Sequence, residues 1–188
     1  VVCAGRMDPE VGAKAVAEGK IDGVGVARQF LVDAEWVTKL IEDRLEDIKP
    51  CICCHSGCFN FSSRKGHANT QDLTDTMGLA RCALNPITMQ SKKYYVEPAK
   101  KIKNVAIIGG GIGGMEAAIL CAKRGHKVTL YEKTDKLGGV FIAASAPSFK
   151  EKDRDLIAWY IRELKKYPIT VNMNTEVKDV KSLCADEV

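Results

Sequence analysis

The sequence lacks any apolar run long enough to cross a membrane, which takes about 20 largely apolar residues in a helix. It also lacks a secretory signal. Val1-Val2-Cys3-Ala4-Gly5 is apolar, but too short and without a basic segment ahead of it. Charge of one sign is missing as well: 28 Lys and Arg against 24 Asp and Glu leave a net charge of +4, with both signs interspersed. That distribution argues against a nucleic-acid partner. Aromatics are scarce at 6%, yet hydrophobic residues reach 46% and charged residues only 28%, so a packed core is expected and general disorder is not. A chain of 188 residues has room for one domain or two small ones. It starts on Val rather than Met, which predicts an interior piece of a longer protein.

Cysteine is plentiful by contrast, at eight residues. Five of them, Cys51, Cys53, Cys54, Cys58 and Cys82, fall between Pro50 and Pro86. Cys51, Cys54 and Cys58 form C-x2-C-x3-C, and Cys82 follows after 23 intervening residues, just ahead of Asn85-Pro86. Clustered spacing without a secretory signal points to metal ligation in a reducing compartment rather than to disulfides. Three thiolates in one loop and a fourth returned by the chain suit an iron–sulfur cluster or a structural zinc. Cys53 breaks the spacing and reads as a bystander. Cys3, Cys121 and Cys184 read as buried thiols without a task. His55 and His67 are candidate ligands, with solvated histidine the commoner case. Ser62 to Thr76 is polar and reads as a loop.

Ahead of the cysteines the pattern is strand, helix, strand, helix, which predicts parallel strands. Val1–Ala4 is a buried strand. Asp8 caps a helix with Pro9 in its first turn, and Gly19 stops it. Gly23–Ala27 is a second strand, and a helix from about Ala34 to Asp47 places Trp36, Leu40 and Ile41 on one face, extended by Leu45. The strands end in Gly5-Arg6 and Ala27-Arg28. A close backbone approach with an arginine suits a phosphate, as after the last strands of a (β/α)8 barrel; ordinary strand ends with surface arginines fit equally well. Two strands cannot close a sheet, so the 1–50 segment is expected to expose apolar strand faces and to associate.

Beyond a linker over 91–103, Val105–Ile108 is a buried strand that runs into Gly109-Gly110-Gly111-Ile112-Gly113-Gly114. A helix carrying Met115, Ala118, Ile119 and Ala122 follows and ends at Gly125. Lys127–Tyr131 is the next strand, closed by Glu132. Gly109, Gly111 and Gly114 give G-x-G-x-x-G, with an acid 23 residues beyond Gly109. Strand, glycine loop, helix, strand and acid in that order specify a dinucleotide site. Gly109 permits the turn, Gly111 lets backbone approach a pyrophosphate, and Gly114 lets the helix pack closely. The helix N-terminus faces phosphate, and Glu132 accepts from a ribose hydroxyl. An acid there favours FAD or NAD(H) over NADP(H). Leu137-Gly138-Gly139 is a further close-approach turn. A helix over about Asp153–Tyr167 places Ile157, Ile161 and Leu164 on one face, with Trp159 and Tyr160 in a core or interface. Ile169, Val171 and Met173 alternate as a strand.

Gly5-Arg6-Met7-Asp8-Pro9-Glu10, Gly25-Val26-Ala27-Arg28-Gln29-Phe30-Leu31, Pro50-Cys51-Ile52-Cys53-Cys54-His55-Ser56-Gly57-Cys58, Cys82-Ala83-Leu84-Asn85-Pro86, the glycine fingerprint, and Tyr131-Glu132-Lys133 with Leu137-Gly138-Gly139 together resemble one family. It is that of the flavin- and iron–sulfur-containing enoate reductases of the Old Yellow Enzyme type, kin of 2,4-dienoyl-CoA reductase and trimethylamine dehydrogenase. The resemblance implies an α/β chain built from the end of a TIM (β/α)8 barrel over 1–50, a cluster segment over 51–90 and part of a Rossmann-like FAD/NAD(P)-binding domain over 104–188. It implies FMN phosphate contacts at Gly5, Arg6, Ala27 and Arg28. It implies a [4Fe–4S] cluster on Cys51, Cys54, Cys58 and Cys82. It implies FAD on Gly109, Gly111, Ile112, Gly113, Gly114, Glu132, Lys133, Gly138 and Gly139.

The implied activity is reduction of an activated alkene (enoate, enoyl-CoA or steroid-like enone) with electrons from NAD(P)H, NADH favoured, by way of FAD, cluster and FMN. The proton donor and the NAD(P)H site belong to segments outside this chain, so no catalytic residue is expected within it. A homo-oligomer in the cytoplasm, with neither membrane nor nucleic acid as partner, completes the expectation. Two departures stand out. The gap from Cys58 to Cys82 is wide for the family, and Ala27 stands where a glycine is usual. A zinc-stabilised nucleotide-binding module and a self-contained flavin/iron–sulfur electron-transfer protein are the competing readings.

Overall fold

The structure is a computed structural model that describes residues 1–59 and 80–188; His67 and the Ser62–Thr76 segment lie outside the described residues. The chain divides into two compact units, Val1–Tyr94 and Tyr95–Val188.

In the first unit, strands β1 (Val2–Ala4) and β2 (Gly23–Gly25) pair in parallel, Val2 opposite Gly23 and Ala4 opposite Gly25. Helix α1 (Pro9–Ala17) makes the crossover. Its start follows from the sequence: the Asp8 carboxylate accepts the amides of Glu10 and Val11, and Pro9, with no N–H to satisfy, takes the first turn. Gly19 leaves the helix at φ +69.

The expected helix over Ala34–Asp47 is not one element. The chain instead makes α2 (Arg28–Val32), α3 (Trp36–Ile41) and a 3-10 turn at Leu45–Asp47. The expected run breaks after α3, where Asp43 sits at φ +54; Asp33, just ahead of the run, is in extended backbone with its carboxylate accepting the Glu35 amide. The buried side of α3 is also not the expected one. Ile41 is 80% exposed, while Lys39 is buried with its Nζ 2.7 Å from Asp33 Oδ2. Apolar periodicity could not reveal that a buried ion pair, not leucine packing, orients this helix. β1, expected to be a buried strand, is not one: Val2 is 68% exposed, because a two-stranded pair leaves its apolar faces uncovered, as expected of the 1–50 segment.

In the second unit, β3 (Asn104–Ile108), β4 (Lys127–Tyr131) and β5 (Ile169–Asn172) form a parallel sheet in the order β3-β4-β5, with Val105 opposite Val128 and Val128 opposite Ile169. Helix α4 (Ile112–Lys123) joins β3 to β4, and α5 (Val140–Ala144) and α6 (Glu151–Leu164) lie between β4 and β5. A parallel pair needs such a crossover, and its right-handed sense puts successive helices on one face; α4 and α6 pack together there. Met115, Ala118, Leu130 and Leu156 are fully buried between helices and sheet. Trp159 and Tyr160 join this core as an edge-to-face pair 5.0 Å apart, and the Tyr160 hydroxyl donates to Glu116 at 2.7 Å. Cys184, expected to be buried, is exposed.

Candidate functional site

Each unit carries one site. In the first, Cys51, Cys54, Cys58 and Cys82 all line a single cavity, although Cys82 is remote from the others in sequence. The loop that presents the first three is held in unusual backbone: Cys53 and His55 both have positive φ, at 55 and 59. Gly57 is buried where that loop meets the returning segment. A Cβ on it would stand 2.6 Å from the Arg81 carbonyl oxygen, so this close approach requires glycine. Cys53, the expected bystander, lines the same cavity with its thiol turned toward the Cys51 carbonyl at 3.8 Å.

The cavity cysteines are partly withdrawn from water: Cys51, Cys58 and Cys82 are half-buried and Cys54 is exposed. Burial, the largest influence, pushes the Cys51 and Cys82 thiols above the usual cysteine range. Arg28 opposes this at Cys51, and the backbone N–H groups of Leu84 and Asn85 oppose it at Cys82, where the Leu84 amide lies 3.4 Å from the sulfur. A bound cation would deprotonate these thiols and use the same amides to stabilise the thiolates. Among the described residues no three His, Cys, Asp or Glu side chains gather closely enough to hold one metal ion. Four cysteines on one cavity are a donor set that suits an iron–sulfur cluster or a zinc alike.

Two residues expected at a phosphate, Gly5 and Arg6, follow β1 directly, with φ of +102 and +53. Ala27 and Arg28 follow β2, so the parallel pairing brings both dipeptides to the same edge of the strand pair. The Arg28 side chain turns toward the cysteine loop, where its Nη1 lies 2.6 Å from His55 Nε2. A guanidinium only donates, so this nitrogen accepts. His55 is thus half-buried and engaged, not a solvated histidine.

In the second unit the glycine loop closes on β4. Gly109 turns at φ +101. A Cβ on Gly114 would lie 1.9 Å from the Gly109 carbonyl oxygen, which is the close approach expected of the third fingerprint glycine. Gly111 caps α4 with no side-chain partner for the helix amides, and both it and Gly113 face open space where a Cβ would meet nothing within 4 Å. Ile112 begins the helix between them. A 12-residue helix opening onto free space through glycines suits a phosphate.

The second glycine turn completes the loop. The Gly138 amide donates to the Gly110 carbonyl at 2.8 Å, and Gly139, at φ +55, would place a Cβ 3.1 Å from the Gly111 Cα. Glu132 is buried, with Oε2 accepting the Gly110 amide at 2.7 Å and Oε1 accepting the Thr134 amide and hydroxyl at 2.8 Å each. The Thr134 amide, then that of Gly110, hold its carboxyl below the usual range against the cost of burial. Lys133 is exposed beside it. Gly110, outside the fingerprint, is also tight, though less so than Gly114: a Cβ there would stand 2.4 Å from Leu137 Cδ2, the end of a side chain that can turn away. Its place between two fingerprint glycines was the only signal in the sequence.

A model of the NAD(P)-binding Rossmann-like domain matches residues 107–153, the segment that holds this loop, Glu132 and the second glycine turn. Along the whole chain the similarity is to larger reductases. The chain is 38% identical to a cinnamate reductase of Clostridium sporogenes, over 100% of its own length and 27% of that protein. It is 36% identical to an NADH oxidase of Thermoanaerobacter brockii, over 96% of this chain and 27% of that one. The chain is similar throughout to 2-enoate reductase-like oxidoreductases of the Old Yellow Enzyme type. Among solved structures, a 2-naphthoyl-CoA reductase in complex with 2-naphthoyl-CoA matches 98% of the chain at a TM-score of 0.84 and 32% identity, again over 27% of its own length. The chain thus spans about 27% of the family members it resembles here. Among the described residues no helix is long and apolar enough to cross a membrane.

Proposed function

We propose that this chain is the cofactor-relay part of an NADH-dependent flavin and iron–sulfur oxidoreductase that reduces an activated C=C bond in an enoate, enoyl-CoA or steroid-like enone. The observation that carries the proposal is the gathering of four cysteines, one of them distant in sequence, around one cavity in a chain related to such reductases. Cys51, Cys54, Cys58 and Cys82 would hold a [4Fe–4S] cluster, which supplies one-electron transfer between flavins that themselves exchange hydride. Leu84 supports that role by aiming its amide at the Cys82 sulfur, and Arg28 places positive charge beside Cys51.

The first unit reads as the end of a TIM barrel, with Gly5, Arg6, Ala27 and Arg28 at the FMN phosphate. In the second, Gly109, Gly111, Ile112, Gly113 and Gly114 would face the FAD pyrophosphate with backbone amides. Gly138 and Gly139 back that loop, and Glu132 and Lys133 stand toward the ribose. An acid rather than an arginine at that position favours an unphosphorylated ribose, as in FAD. Thiolate ligation of this kind would suit a reducing compartment such as the cytoplasm.

The test is an anaerobic absorption spectrum with iron, sulfide and zinc analysis. A broad band near about 400 nm with roughly four irons per chain supports the relay, and flavin bands beside it, with the released flavin identified as FAD by mass, support FAD on the glycine loop. A colourless protein with one zinc would leave a structural module in place of the reductase reading.

A further inference from the structure

Helix α2 has only five residues, yet each segment that bears a cavity cysteine is tied to it. Arg28 reaches His55, between Cys54 and Cys58. The Gln29 amide spans Pro50: its Nε2 donates to the Lys49 carbonyl at 2.7 Å, and its Oε1 accepts the Cys51 amide at 3.0 Å. At the far end, the carbonyls of Leu31 and Val32 accept the two bonds of Asn85 Nδ2, at 3.0 and 3.1 Å, and Thr88 Oγ1 also donates to Leu31. These would otherwise be orphan carbonyls at a helix end. Lys49 closes the circuit with its Nζ on the Leu84 carbonyl at 2.8 Å.

We infer that α2 is the assembly platform of the four-cysteine site and that Gln29 is the positioning residue for Cys51; the inference rests on the cluster reading above. Both ends of one planar amide are committed to the backbone flanking the first ligand, so the direction in which the Cys51 sulfur enters the cavity is set by Gln29 and not by the loop alone. Partners that orient a ligand in this way commonly change metal retention by about 10- to 100-fold when removed.

The experiment is carried out on the reconstituted full chain. Gln29→Met keeps the length of the side chain and removes both bonds. It is expected to load iron and then release it to a chelator about 10-fold faster than wild type. Gln29→Glu keeps the acceptor for the Cys51 amide and is expected to hold iron longer than Gln29→Met. A residue that only fills space would give the same iron release in both variants. Wild-type iron release from Gln29→Met, or equal release from the two variants, overturns the assignment while the cluster reading stands. A wild-type chain that takes up no iron overturns both.

Discussion

Glu132 accepts the Gly110 amide at 2.7 Å, so the residue that closes β4 and the middle of the glycine loop share one buried carboxylate. Glu132→Gln can satisfy only one side, because an amide presents an acceptor to Gly110 or to Thr134 but turns its own N–H groups on the other. A loss of about 2 kcal/mol in unfolding free energy is expected at neutral pH, the cost of a buried donor facing a donor. The pH dependence has a definite sign. The folded-state pKa of Glu132 is depressed, so its contribution is present above the ordinary carboxylate range and is lost as pH falls through the folded value. Urea titrations should show the gap between wild type and variant narrowing in acid. A gap that holds constant or widens there would contradict this account.

The neighbouring glycines separate packing from ligand approach. Gly114→Ala puts a methyl 1.9 Å from a backbone oxygen that cannot swing away, and about 3 kcal/mol of destabilisation is expected. Gly113→Ala meets nothing within 4 Å in a helical position and should raise stability by roughly 0.5 kcal/mol. On the FAD reading, the same Gly113→Ala should weaken flavin retention, because the methyl enters the space left for the phosphates. Thermal melts of the flavin-free protein and flavin titrations check the two halves separately.

This second unit was legible in the sequence because its signals are local. An apolar run, a glycine spacing and an acid at the end of the next strand specify β3, α4 and β4 without reference to distant contacts. The first unit was less so. Its expected long helix stops early, at Asp43, and α3 is oriented by Asp33, whose carboxylate takes the Glu35 and Lys49 amides and the Lys39 ammonium, all relations that no hydrophobic period encodes. Gln29 was quoted only as part of a family segment, since nothing about a glutamine predicts that it will span a proline 21 residues away.

That Asp33 network gives a third prediction. Asp33 and Lys39 are both buried, their side chains 5% and 11% exposed. Asp33→Ala leaves the ammonium buried and strips the Lys49 amide of its acceptor, so about 3 kcal/mol should be lost. The double variant Asp33→Ala with Lys39→Met removes the stranded charge and should recover part of that loss. A double variant no more stable than the single would show that the ion pair is not what holds α3.

The cysteines supply the last prediction, and it turns on position rather than number. Cys53 and Cys82 both line the cavity, but only Cys82 carries a backbone amide aimed at its sulfur, while the Cys53 thiol points at the Cys51 carbonyl. Cys53→Ser should therefore keep the full iron content and an unchanged visible spectrum. Cys82→Ser should lose both, because a serine hydroxyl is a poor ligand to iron and the returning segment offers no other thiol. Iron analysis of the two variants, purified anaerobically side by side, decides the matter. Iron lost from Cys53→Ser and kept in Cys82→Ser would move the fourth ligand to Cys53 and leave Cys82 as a packing residue, with the wide gap between Cys58 and Cys82 then explained by its having no ligand to deliver.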